Sequence, residues 1–370
     1  MNTNDNFTYQ TMLTYIGNKR KLVSHIEKIV QENVLPVVKK EKLNIFDGFA
    51  GSSVVSRSLS QFANVIHTND MEKYSSVMAL CFLETPNESM KQRIVHHIER
   101  MNILAKNGPF IKGVITNNYS PKDTKNVQEG ERCFYTHENA LIIDTLRKYI
   151  SDNVEPELFS YCITPLLIKA SIHTNTAGVF KGFYKDKKTG IGSFGGSQVN
   201  DVNRITKQIE LDIPVWSDLN FKSVIYNEDI NILIDKLPDN FDLVYLDPPY
   251  NQHPYGSNYH MLNTIIHNRL DENISEVAGI PKNWNKSDYN YETKAIKAMI
   301  TLIQKTIQKS KFILLSYNNE GIIPMEKWDQ IFSKYEVQKF KKPYDTYKGS
   351  RNLKNRPKKV VEFMYLISSK

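Results

Sequence analysis

With 370 residues and 40% hydrophobic side chains, the chain can form one large domain or two modest ones around a packed core, which excludes disorder as the default. Its 48 Lys and Arg against 40 Asp and Glu give a net charge of +8 and a pI near 9.0. That balance favours a polyanionic partner, although an anionic membrane or an acidic protein would be drawn by the same charge. Cys81, Cys133 and Cys162 form no C-x-x-C pair and show no His at ligand spacing. Neither a metal site nor a disulfide framework is therefore expected, and each thiol should be a small buried apolar group. The polar, acidic start of the chain and the lack of any run near the ~18 apolar residues of a membrane span predict a soluble, cytoplasmic protein with no membrane partner.

Taken in chain order, three short apolar runs end on an acidic residue at a turn and predict parallel strands of an α/β sheet: Leu43 to Asp47, Val65 to Asp70 and Phe241 to Asp247. A helical pattern follows the first through Val54, Val55 and Leu59. Further on, Tyr291 to Gln308 has helical spacing, and Phe312 to Ser316 and Val360 to Ile367 read as two more strands, the last as part of an edge hairpin in a mixed sheet. From about 101 to 215 strand signals thin out, Lys, Asn and Thr become frequent, and glycines cluster from Gly190 to Gly196. Residues 101–215 are thus expected to be an insertion in a discontinuous domain of residues 1–100 and 216–370.

The turn Gly48, Phe49, Ala50, Gly51, Ser52 lets a ligand approach the backbone closely, and the helix after it offers free N–H groups. Asp70, followed by Met71, lies about 20 residues on, where a carboxylate can accept from both hydroxyls of a ribose. A dinucleotide-binding protein would show a similar arrangement. Asp47, however, opens the turn, and Ser53 stands where another glycine is expected. A carboxylate there repels pyrophosphate and suits a cation such as the ammonium of S-adenosylmethionine.

Asp247, Pro248, Pro249 and Tyr250 close the third run and carry the most specific chemistry in the chain. An adenine amino nitrogen is a poor nucleophile because its lone pair is delocalised into the ring. Acceptors on both of its hydrogens draw it toward tetrahedral geometry. The Asp247 carboxylate and the Pro248 carbonyl can supply them, consecutive prolines fix φ and remove competing donors, and Tyr250 offers a face for stacking a base. In-line displacement then needs positioning and electrostatics rather than a metal.

On these residues the chain resembles the Dam-type, alpha-class adenine-N6 DNA methyltransferases. Tyr15, Ile16, Gly17, Asn18 and Lys19 are similar to that family's N-terminal cofactor motif, Asp47 to Gly51 to its glycine motif, and Asn69 with Asp70 to its ribose-binding pair. Asn227, Glu228 and Asp229, leading into Ile230, resemble the segment that reaches the cofactor adenine, and Asp247 to Tyr250 the catalytic tetrad, all in the family's order. Ser53 departs from the glycine that many members carry. Asn251, Tyr255, Asn258, Tyr259 and His260, with Ser316, Tyr317, Asn318 and Asn319, resemble a restriction-associated branch. The resemblance implies a Rossmann-like S-adenosylmethionine-dependent methyltransferase fold, a mixed seven-stranded sheet with an inserted, mainly helical DNA-recognition domain. It also implies a double-stranded DNA substrate and leaves open a cognate restriction endonuclease as a second partner.

Reaching a paired adenine requires flipping it out, so basic and aromatic residues should surround the site. From Lys339 to Lys359 nine Lys or Arg face the single acid Asp345, with Tyr344 and Tyr347 interleaved. Lys348, Arg351, Lys354 and Arg356 are the expected phosphate contacts of that run, and Lys181 and Lys185, flanking Phe183 and Tyr184, those of the insertion. Asn175, Tyr255, Asn258 and Tyr259 are further expected DNA contacts, Asn175 because amides read adenine bidentately. His253 and His260 follow the tetrad and either line the pocket or pack structurally. Two rival readings share these features: transfer to cytosine N4, and a binding module with an inactive methyltransferase fold.

Overall fold

The computed structural model describes residues 7–9, 13, 15–199, 201–345 and 359–370. Seven strands form one sheet: β1 (Leu43–Asp47), β2 (Ala63–Asn69), β3 (Lys222–Tyr226), β4 (Phe241–Leu246), β5 (Ser310–Asn318), β6 (Tyr335–Asp345) and β7 (Lys359–Ser369). Their order is β3-β2-β1-β4-β5-β7-β6, with the first five parallel and β7 antiparallel to both neighbours. The sheet is mixed α/β as the resemblance implied. β7 pairs antiparallel with β6, the outer strand, so Val360 to Ile367 belongs to an edge hairpin as expected, with β7 as its inner strand.

β4 is buried along its whole length because helices cover both faces of the central strands. Alternate residues go to opposite layers. Leu243 and Tyr245 pack with Val23, Ile26 and Val30 of the N-terminal helical segment and with Val54 and Val55. Val244 and Leu246 pack with Ala295, Met299 and Leu302 of the helix Glu292–Thr306. The helix expected over 291–308 is thus present within two residues of the expected ends.

Described residues between 101 and 215 add no strand to this sheet. Their helices His137–Asn153 and Phe159–Ile172 share one apolar cluster with Val77 and Phe82, from the helix Lys73–Leu83, and with Leu262 and Ile265. All three cysteines are buried and free. Among the described residues no helix is long and apolar enough to cross a membrane, and no group of three or more His, Cys, Asp or Glu is placed to hold a metal ion.

Strand order reverses between β1 and β4, since β2 and β3 lie to one side of β1 and β5 to the far side of β4. In such sheets the crevice beyond the carboxyl ends of the two diverging strands is where ligands bind. Gly48 follows β1 and Asp247 follows β4, so both open into this crevice.

Candidate active site

The turn after β1 is tied to its neighbours through the backbone. Gly48 N–H donates to the Tyr245 carbonyl at 3.0 Å and Ala50 N–H to the Asn69 carbonyl at 2.9 Å. Gly51 takes φ +52°, and a Cβ on it would lie 3.1 Å from Tyr15 Cε1, so glycine is needed for both conformation and approach. Ser53 is also left-handed, at φ 60° and ψ 14°, which explains why glycine is the easier residue there.

Asn69 joins three strand ends. Its Nδ2 donates to the carbonyls of Gly48 (3.3 Å) and Glu228 (3.1 Å), and its Oδ1 accepts the Glu228 N–H at 3.1 Å. Asp70 accepts from Gly51 N–H and Glu72 N–H, each at 2.8 Å. Burial raises its pKa, and these two donors oppose the shift. Asp229 caps the helix Ile230–Leu233 by accepting from Asn231 N–H at 2.9 Å.

These residues line a partly open pocket beyond the carboxyl ends of β1 and β4. Tyr15, Gly17, Lys19, Phe49, Ala50, Gly51, Ser52, Asp70, Met71, Asp229, Ile230, Asp247, Pro249 and Tyr255 all line it. So do residues the sequence reading did not single out: Glu72, Asn285, Ser287 and Asn290. The last three come from the loop before the helix Glu292–Thr306, whose composition carries no signal of a site.

Asp47 is a correction. It does not line the cavity, because its oxygens are turned inward to Ser56 Oγ at 2.5 Å and Phe49 N–H at 3.4 Å. Burial pushes its carboxyl up to about 7, so it braces the turn rather than offering a fixed charge to a ligand.

At the end of β4, Asp247 Oδ1 is 2.7 Å from the Lys19 ammonium, which is also 3.3 Å from Glu362 Oε1. Burial raises Asp247 to about 6, with Lys19 opposing and Glu362 adding to the rise. Burial works against the Lys19 charge too, yet the Asp247 and Glu362 carboxylates hold its pKa well above the ordinary value. Pro248 is buried. The Tyr250 ring stands 5.5 Å from the Lys19 Nζ and edge-on to Tyr317 at 6.1 Å. Glu362 was missed by the sequence reading, although a lone acid within Val360 to Ile367 was the signal for it.

The N-terminal segment is clamped by aromatic residues rather than left free. Tyr15 stacks on Tyr255 at 5.0 Å and on Tyr259 at 4.7 Å. Ile16 donates its N–H to the Tyr259 hydroxyl at 2.6 Å and receives the Tyr255 hydroxyl on its carbonyl at 3.1 Å. Gly17, at φ +77°, fits where a Cβ would be 3.0 Å from the hydroxyls of both Tyr250 and Tyr255.

Several expected DNA contacts are corrected by their burial. Tyr259 is fully buried in that clamp, and Asn258 is buried with its Nδ2 on the His253 carbonyl at 3.3 Å. Asn175 is fully buried too. Its amide donates to the carbonyls of Cys133 (2.8 Å) and Ser193 (3.2 Å) and accepts from Gly195 N–H (3.0 Å), which staples the glycine-rich loop. His260 is buried, its ring held at 3.0 Å from the Phe180 carbonyl and its pKa lowered by burial to about 4. Lys181 and Lys185 are exposed, as is His253. Lys348, Arg351, Lys354 and Arg356 lie outside the described residues.

The model of the D12 class of N6 adenine-specific DNA methyltransferases matches residues 15–331. The chain belongs to this family. Among its relatives are the modification methylase StsI of Streptococcus sanguinis, 30% identical over 97% of this chain, and the type II methyltransferase M.FokI of Planomicrobium okeanokoites, 28% identical over 96%. This chain spans 52% of each of those two proteins. The type II methyltransferase M.NlaIII of Neisseria lactamica is 25% identical over 96% of this D12-class chain and 98% of its own length.

Proposed function

We propose that this chain transfers a methyl group from S-adenosylmethionine to N6 of an adenine turned out of double-stranded DNA, as the modification enzyme of a restriction-modification system. The observation that carries the reading is the pairing of Asp247, at the end of β4, with Lys19 on the wall of the cavity where strand order reverses.

The charge of the cavity supports the choice of cofactor. Asp70, Glu72, Glu228, Asp229 and Asp247 line it, against the single cation Lys19. That set repels a pyrophosphate and attracts a cation. Asp70 would hold the ribose, and Asp229 with Ile230 the adenine ring. When bound, S-adenosylmethionine supplies a sulfonium methyl group: as N6 forms the C–N bond, the C–S bond breaks and sulfur keeps the electron pair.

Asp247 accepts a hydrogen of the target amine, drawing the nitrogen lone pair out of the ring, and takes up the proton that N6 sheds once methylated. A carboxyl raised by burial above the ordinary carboxylate range is suited to both tasks at neutral pH. Pro248 offers its carbonyl to the second hydrogen, and Tyr250 a face for the extruded base, whose flipping costs about a few kcal/mol. Residues 101–215 serve as the DNA-recognition segment, with Lys181 and Lys185 on phosphates.

Transfer of a tritiated methyl group into adenine-containing and cytosine-only duplexes tests this. Label in the adenine duplex alone is expected. Label in the cytosine duplex would assign N4 transfer instead, and label in neither would leave a DNA-binding module.

A further inference from the structure

Next to Lys19 the sheet buries a second carboxylate that the transfer chemistry does not use. Glu362 is fully buried on β7, between Val361 and Phe363, where an aliphatic residue would complete the apolar layer. An unpaired charge there would be strongly destabilising. Instead Glu362 gathers donors from three separate parts of the chain: Lys19 from the N-terminal segment at 3.3 Å, Ser316 Oγ from β5 at 2.5 Å and the Tyr344 hydroxyl from β6 at 3.1 Å. The antiparallel register that sets Glu362 opposite Asn318 and Lys342 is what brings it there.

One ammonium between two carboxylates leaves the triad Lys19, Asp247 and Glu362 with a single net negative charge. With Glu362 neutral, Lys19 would pair with Asp247 alone and cancel it. Building on the methyl-transfer reading above, we propose that Glu362 is a positioning residue for the reaction. It draws the Lys19 ammonium to a fixed point, confines it to Oδ1 of Asp247 so that Oδ2 remains for the amine, and keeps the wall facing the sulfonium negative.

The groups that act electrostatically on Asp247 are Lys19, Glu362, Asp47, Tyr245, Tyr250 and Tyr255. Of these, Lys19 and Glu362 act most strongly, in opposite directions.

The test is steady-state methyl transfer against pH, with calorimetric binding of S-adenosylmethionine and of its thioether product, S-adenosylhomocysteine. Glu362→Gln should lower kcat about 30-fold or more with the DNA KM little changed, the pattern of a lost transition-state interaction. It should also move the acid limb to lower pH, because a charge that raises Asp247 is gone, and reduce the preference for the sulfonium over the neutral thioether several-fold. Glu362→Asp keeps the charge but shortens the reach, so kcat should fall while the limb stays in place. Ser316→Ala and Tyr344→Phe each remove one donor and should lower kcat at unchanged KM, which preserves the test if Glu362→Gln does not fold. An active wild type together with unaltered kcat, limb and ligand preference in these variants overturns the positioning role alone. A wild type that transfers nothing overturns the underlying reading as well.

Discussion

The Asn69 side chain holds Glu228 by both of its backbone polar groups, accepting its N–H and donating to its carbonyl, each at 3.1 Å. The end of β2 is thereby fixed to the segment after β3, on the wall where Asp70, Glu228 and Asp229 meet.

Asn69→Ala should therefore damage stability and binding together. Leaving the buried partners of Asn69 unsatisfied costs about 2–3 kcal/mol, read by urea unfolding. Cofactor affinity should fall in parallel by calorimetry. A variant with the wild-type unfolding midpoint would show that the clamp adds nothing.

Replacing Lys19 tests the sign of the electrostatics at Asp247. Burial already raises that carboxyl to about 6, and Lys19 holds it down. Lys19→Met removes the opposing cation, so the loss of activity on acidification should begin at higher pH than in the wild type. The rate should also fall about 100-fold or more, as for other preorganised charges. A limb that stayed in place or moved down would contradict the ion pair's role.

Asp47 gives a stability prediction with a defined pH window. Its carboxyl lies at about 7 in the fold against 3.8 when unperturbed, so the fold favours the protonated form. That preference is fully expressed below pH ~4, is lost as pH rises to about 7, and stays lost above. Asp47→Asn, whose amide oxygen can still accept from Ser56 Oγ, should match the wild type at pH 4 and exceed it in melting temperature at pH 8. Equal stability at both pH values would place the charge elsewhere.

Ser53 occupies a left-handed backbone with its hydroxyl buried and unpaired. Ser53→Gly should be neutral or stabilising by up to about 1 kcal/mol, whereas the β-branched Ser53→Val should lose about 2 kcal/mol. Thermal unfolding of the two variants decides it, and the reverse order would refute the strain.

Asn175→Ala separates a loop staple from a base reader. Loss of its side-chain hydrogen bonds to Cys133, Ser193 and Gly195 should lower stability by about 2–3 kcal/mol while the set of methylated sites, read by sequencing, stays as in the wild type. A changed site preference at unchanged stability would restore the base-reading role.

The parts of the architecture that were legible in the sequence are those where burial and backbone demand agree. β1 and β4 are covered on both faces, so their residues read as mainly apolar runs interrupted by Asn44 and Asp242 near their starts, and Asp247 with two prolines marks where β4 stops. β3 and β6 were not foreseen because edge strands face water. Lys222 and Val224 of β3 are exposed, and β6 places Lys339 and Lys341 over the rings of Phe363 and Tyr365, so its pattern reads as a charge run. The aromatic and amide residues after the tetrad were misassigned for a related reason. Tyr and Asn serve equally well as DNA contacts and as internal fasteners, and only burial distinguishes the two, as at Tyr259 and Asn258.

The reversed direction of β7 has a bearing on synthesis. Lys19 precedes every strand of the sheet, but the carboxylate that partners it on the sheet side belongs to β7, which follows β6 in sequence and is threaded between β5 and β6. A nascent polypeptide ending before β7 holds the tetrad and the glycine turn, yet it lacks the second carboxylate of the charge triad and the strand through which β6 joins the sheet.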